Sequence, residues 1–177
     1  MKLLQSVTRS VEGKLGIAIL GVIGGVALAA PLLFPQDPLS IVASPLIRPF
    51  TNAAFPLGTD SLGRDMLAEL VHGARVSLTV GLIAAAVALF IGMVVGTLAG
   101  FAGGMIDEAL MRVTDAFQIV PSFLLALAFV STIGPSTPIV VVAIALSAWA
   151  DPARLTRAQV LSIRERDYVA SARAVGM

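Results

Sequence analysis

The stretch VSLTVGLIAAAVALFIGMVVGTLAGFAGGMI, Val76–Ile106, carries no Asp, Glu, Lys or Arg. A helix needs about 20 apolar residues to cross a hydrocarbon core about 30 Å thick, because charges and open backbone are too costly to leave there. This run is long enough, and two others match it, Leu15–Gln36 and Ala116–Ala150. The last is too long for one helix and holds Gly134, Pro135 and Pro138 in its middle, turn chemistry that splits it into a hairpin of two spans. Four spans are expected. Composition agrees: the chain is 57% hydrophobic and 13% charged, against about 45–50% apolar and about 25% charged in soluble domains. The fold class is therefore all-α, a polytopic transmembrane helical bundle.

Lys2, Arg9 and Lys14 precede the first run. That run is long for a signal core and Ala29-Ala30-Pro31 is a poor cleavage site, so it reads as a retained anchor. With a cytoplasmic N-terminus the inside segments hold Lys2, Arg9, Lys14, Arg112, Arg154, Arg157, Arg164, Arg166 and Arg173, and the outside only Arg48, Arg64 and Arg75. The positive-inside bias favours that orientation. The expected division is a cytoplasmic segment 1–14, a first span 15–36, an extracytoplasmic segment 37–75 with an interfacial helix, and a membrane core 76–177 ending in a cytoplasmic stretch 164–177.

Gly92, Gly96, Gly100 and Gly104 recur every four residues and so share one helix face; Gly21 and Gly25 repeat the spacing in the first span. Without side chains, helix backbones approach closely and gain van der Waals contact, the main attraction available in lipid. The stripe is read as helix packing.

A net charge of +1 gives no reason to expect nucleic acid, and the absence of cysteine removes disulfides, thiolate zinc sites and thiol catalysis. Neither HExxH nor GxSxG occurs, and His72, the single histidine, reads as an interfacial bystander. The spans bury no ionisable residue of the kind an ion-coupled carrier uses. No GxxxxGK[ST] phosphate loop is present, so energy for any transport has to come from another chain. No catalytic residue, metal ligand or cofactor is expected.

Three polar constellations remain. In PLGTDSLGRDMLAELVHGARVSLTVGL, Pro56–Leu82, Asp60 or Ser61 is expected to cap an interfacial helix that feeds the second span. In GGMIDEALMRVTDAFQIVPSFLLAL, Gly103–Leu127, Asp107, Glu108, Arg112 and Asp115 form an inside turn, with Glu108 and Arg112 spaced to pair. Pro121 and Ser122 break helix regularity there, and Ser131 and Thr132 offer hydroxyls, which makes these four the candidate lining of a path. In RERDYVASARAVGM, Arg164–Met177, Tyr168, Ala172 and Val175 share a helix face with Val169 and Gly176 beside them, a short apolar face suited to a protein groove.

Taken with the Trp149-Ala150-Asp151-Pro152-Ala153-Arg154 turn, these stretches resemble the permease subunits of type I ABC importers, specifically the C-type partner in dipeptide, oligopeptide and nickel systems. In that family the last stretch resembles the EAA loop, whose pattern E-A-A-x-x-x-G maps onto Ala170, Ser171, Ala172 and Gly176. Ala170 stands for the glutamate and Ser171 for an alanine, whereas Ala172 and Gly176 keep the pattern. The resemblance implies that Tyr168, Val169, Ala170, Ser171, Ala172 and Gly176 dock on an ATPase subunit. It further implies a second permease subunit completing a heterodimeric pore, an extracytoplasmic solute-binding protein, and a place in the bacterial inner membrane. About four of six spans would be present, the family continuing with two more beyond the EAA loop. The rival class is a membrane scaffold that binds cytoplasmic partners without transport.

Overall fold

The computed structural model describes residues 10–174, all of whose regular elements are helices. Lys2, Arg9, Val175, Gly176 and Met177 lie outside the described residues. The chain divides into two compact units, residues 1–79 and 80–177.

In the first unit, helix α1 spans Val11–Leu33. Ser10 caps it, its hydroxyl accepting the Gly13 N–H at 3.0 Å, one of the donors a helix start leaves unpaired. Pro31 falls in the last turn, where the helix is about to end. Leu20, Val22, Leu28 and Leu32 are all exposed, as expected of a helix surrounded by lipid rather than by its own chain. A Cβ added at Gly21 or Gly25 would meet nothing within 4 Å, so this glycine pair seats no other element among the described residues.

Residues 34–65 fold into turns without a regular helix or strand. Thr59 holds them together: its N–H donates to the Ile47 carbonyl at 3.2 Å, its hydroxyl donates to the Ser44 carbonyl at 2.7 Å and accepts the Ile47 N–H at 3.0 Å. It is buried, and each of these polar atoms is satisfied, as burial demands. Gly63 is at φ +83°, and a Cβ there would stand 2.2 Å from the Ala43 carbonyl oxygen, so only glycine fits.

Helix α2 follows, Met66–Ala102. Its cap is Asp65, whose carboxylate accepts the Leu67 N–H at 2.9 Å. Asp60, one of the two expected caps, serves the loop instead, accepting the Leu62 and Arg64 N–H groups, each at 2.8 Å. The helix runs through Val76 without a break, so no separate helix precedes the apolar stretch. His72 makes a structural contact, its Nε2 lying 3.0 Å from the Phe34 carbonyl oxygen just beyond α1.

The second unit holds the rest of α2 and α3 Gly104–Ile119, α4 Ser122–Ile133, α5 Thr137–Ala148, α6 Ala150–Arg164 and α7 Asp167–Ala174. Between α3 and α4 the axis bends by 80°. Val120 is extended, the conformation a following proline imposes, and Pro121 at φ −54°, ψ 127° starts the next helix. Gly134, at φ +107°, and Pro138, in the first turn of α5, bound the turn that folds α4 and α5 into the expected hairpin. Between α5 and α6 the bend is 42°.

By length and composition α1 and α2 each suffice to cross a membrane, and α3 with α4 and α5 with α6 add two spans if each bent pair counts as one. The 12-residue helices α4 and α5 reach only about 18 Å each. The fold is all-α and transmembrane.

Candidate functional site

Near its end α2 carries Gly92, Gly96 and Gly100, and α6 lies against them. A Cβ at Gly92 would come within 2.5 Å of Pro152 Cβ, at Gly96 within 2.3 Å of the Ala153 carbonyl oxygen, and at Gly100 within 2.8 Å of Val160 Cβ. Contacts advance in the same direction along both helices, so α6 runs parallel to α2. Gly104 is not part of this seat: α2 ends at Ala102, Gly103 turns the chain at φ +68°, and Gly104 opens α3 with free space where a side chain would be. Above the seat, Trp149 and Ala153 pack with Ala88, Ile91, Val95 and Phe117. The Phe117 and Trp149 rings meet edge to face at 5.3 Å, a geometry that suits the aromatic quadrupoles.

On its other side α6 meets α3, running antiparallel. Arg157 donates through Nε and Nη2 to the two carboxylate oxygens of Asp107, each at 2.5 Å. Two parallel charge-assisted bonds make this the strongest polar contact type available to an arginine. The Asp107 side chain is 14% exposed and that of Arg157 34%, so water screens the pair less than a surface pair. One turn earlier Arg154 pairs with Asp115 at 2.5 Å, and Gln118 donates to Asp151 at 2.6 Å. At the far end Arg164 Nη1 donates to the Gly100 and Phe101 carbonyls at 3.3 and 3.4 Å, oxygens that a helix C-terminus leaves unpaired. Glu108 and Arg112 pair at 2.8 Å on the exposed face of α3. Gly104, Asp107, Glu108, Met111, Arg112, Asp115 and Arg157 line a polar cleft of about 480 Å³.

These charges stand level with an uncharged part of α2, because the Arg157 backbone lies within 3.1 Å of where Cβ atoms at Gly96 and Gly100 would be. Helix length explains this. The 37 residues of α2 extend about 55 Å, almost twice a hydrocarbon core of about 30 Å. Its turns from Gly92 onward therefore have room to stand clear of the lipid, beside the paired arginines.

The segment that resembles the EAA loop follows at once. Asp167 begins α7, in which the Val169 N–H donates to the carbonyl of the preceding Arg166 at 2.9 Å and the Ser171 hydroxyl to the Asp167 carbonyl at 2.8 Å. Tyr168 is 60% exposed, Ser171 is exposed and Val169 is half-buried. Ala170 and Ala172 lie on the same helix, and Gly176 lies outside the described residues. Arg164, at the end of α6 just before this segment, is held by the end of α2.

The four residues of the expected path are all exposed and do not form one cluster of polar contacts. Pro121 and Ser122 mark the bend, whereas Ser131 and Thr132 both donate to the Ala128 carbonyl, at 3.1 and 2.6 Å. Thr132 also lines an apolar cleft of about 270 Å³ with Ala128, Phe129 and Ile133.

Sequence reasoning missed the Asp107–Arg157 and Asp115–Arg154 pairs, which join residues 50 and 39 apart. A signal was present: Asp107 and Asp115 are spaced to share one face of a helix, as are Arg154 and Arg157. Only the fold says that the two faces meet.

Residues 92–177 match the family described as binding-protein-dependent transport system inner membrane component. The match begins at the first glycine of the seat. The chain is 40% identical over 155 residues to a di/tripeptide transport system permease protein of Pseudomonas aeruginosa, covering 85% of this chain and 51% of that protein. It is 48% identical over 159 residues to a probable peptide ABC transporter permease protein of Sinorhizobium fredii, covering 89% and 53%. To a nickel transport system permease protein of Escherichia coli it is 38% identical over 164 residues, covering 92% and 58%. The chain thus spans about half the length of the curated relatives it matches. By its helices and by this match it is a multi-pass inner-membrane chain, and its residues 92–177 are similar to the binding-protein-dependent transport system inner membrane components.

Proposed function

We propose that this chain is the membrane-embedded part of an ABC importer permease subunit, which with a second permease subunit forms a heterodimeric pore for peptides or similar small solutes. A binding protein delivers the solute from outside, and separate cytoplasmic ATP-binding subunits supply the energy. The family match over residues 92–177 carries this reading, because it takes in the glycine seat, α6 and α7 together. With the N-terminus cytoplasmic, the loop 34–65 faces outward and α3, α6 and α7 face the ATPase. In this arrangement α7 enters a groove of the ATPase through Tyr168, Val169, Ala170, Ser171 and Ala172, with Gly176 beyond, and carries its closure to the spans. Helix insertion in a groove fits a short segment with an exposed aromatic anchor.

Pro121, Ser122, Ser131 and Thr132 belong, in the same reading, to the wall of the path. The hydroxyls of Ser131 and Thr132 spend their protons on Ala128, yet keep lone pairs that accept from a passing amide. Uptake in cells with and without the intact gene tests the function. Loss of uptake of one peptide class or of nickel is the expected result. Unchanged uptake of every peptide and of nickel would leave a membrane scaffold as the better reading.

A further inference from the structure

We propose that Arg157 and Arg154 are positioning residues that make α6 and α3 one rigid body. This inference deepens the proposed function and rests on α7 being the segment that receives movement from the ATPase. A displacement at α7 reaches α6 through two residues, Glu165 and Arg166. What happens next depends on whether α6 tilts alone or takes its neighbours along. Three independent contacts oppose tilting.

The first is steric. At Gly96 the Ala153 carbonyl oxygen stands 2.3 Å from where a Cβ would be, so backbone is seated on backbone, and a packed contact of this kind does not deform continuously. The second is electrostatic and directional. The two bonds from Arg157 to Asp107 fix the angle of α6 about its axis as well as its distance from α3, and Arg154 with Asp115 repeats the constraint one turn away. The third is at the end, where Arg164 holds the last carbonyls of α2. Sliding α6 along α3 would separate both ion pairs together and leave the partly buried charges of Asp107 and Arg157 unpaired, which is costly. Movement at α7 therefore travels through α6 into α3, and at the 80° bend of Val120 and Pro121 it turns into displacement of α4.

Bridging α3 to α6 in the assembled, full-length transporter tests this. Gln118 and Asp151 are in contact at 2.6 Å and the 177 residues contain no cysteine, so Gln118→Cys with Asp151→Cys gives a pair that a short bis-thiosulfonate reagent spans. A rigid body does not feel such a bridge: solute uptake per ATP hydrolysed stays within about twofold. Arg157→Ala alone lowers that ratio about tenfold, the size expected for loss of a coupled pair, and bridging restores it. Bridging that abolishes uptake, or that fails to rescue Arg157→Ala in a protein shown to be assembled, overturns the proposal. A Ser171→Cys crosslink to the ATPase, run on the same preparations, reads the docking itself. Its absence with the bridge rescue intact removes the docking reading and keeps the rigid body, whereas its presence without rescue does the reverse.

Discussion

At the scale of single residues, glycine is informative only where something occupies the space its side chain would take. Gly96 and Gly21 look alike in the sequence, each in an apolar run with glycine four residues away. They differ in that a Cβ at Gly96 meets backbone at 2.3 Å and at Gly21 meets nothing. Gly96→Leu is expected to destabilise the second unit by about 1–3 kcal/mol, the usual result of overpacking, and Gly21→Leu to stay within about 0.5 kcal/mol. Thermal unfolding in detergent checks both, the first by the emission of the single tryptophan, Trp149, whose ring is packed beside the seat, and the second by loss of helical circular dichroism. The four-residue spacing of glycine marks both stripes alike, so the sequence offers the seat without telling it from the empty pair. The end of the seat is not legible there, because a helix stopping at Ala102 and a glycine at φ +68° leave no mark in an apolar run.

Asp60 sets the acid limit of the loop 34–65. The Arg64 N–H above all holds its carboxyl below the ordinary aspartate value of 3.8; desolvation opposes it, and the Leu62 N–H and the Arg64 charge add to the lowering. A depressed value in the folded state means that the carboxylate stabilises the loop in full above 3.8 and loses that effect as pH falls through its lower folded value. Amide protection at Leu62 and Arg64 is therefore expected to be flat from neutrality down to the carboxylate range and to fall below it. In Asp60→Asn the acid step disappears.

At the scale of elements, the hairpin of α4 and α5 is readable because Gly134, Pro135 and Pro138 interrupt a run with no other reason to stop. The 80° bend at Pro121 is only half readable, since proline announces a break but not its angle. The helix start at Met66 escapes a reading by residue type. Asp60, Ser61 and Asp65 all qualify as caps by type, and the choice falls to the hydrogen bonds that a compact loop makes with Asp60. Asp65→Ala should cost about 1 kcal/mol, seen as faster exchange of the Leu67 and Ala68 amides with the far end of α2 unaffected. The ion pairs between α3 and α6 are the least legible of all, because they depend on which face of α6 remains once α2 has taken the other.

At the scale of the whole chain, the orientation is open to direct measurement. If the N-terminus is cytoplasmic, Asn52→Cys in the outer loop reacts with an impermeant thiol reagent in intact cells, and Glu165→Cys reacts only after the membrane is permeabilised. Equal labelling of both in intact cells would reject that topology. Beyond orientation, everything proposed about transport converges on α7, the short helix with Tyr168 exposed at its start. The decisive measurement is crosslinking from Ser171→Cys, an exposed position, in the full-length protein assembled with its ATPase. A crosslink to the ATPase subunit whose yield changes between the ATP-bound and nucleotide-free states is the predicted result, since a helix transmits work only if it contacts the two states differently. An assembled, active complex that gives no crosslink from Ser171→Cys or from neighbouring positions of α7 would contradict it.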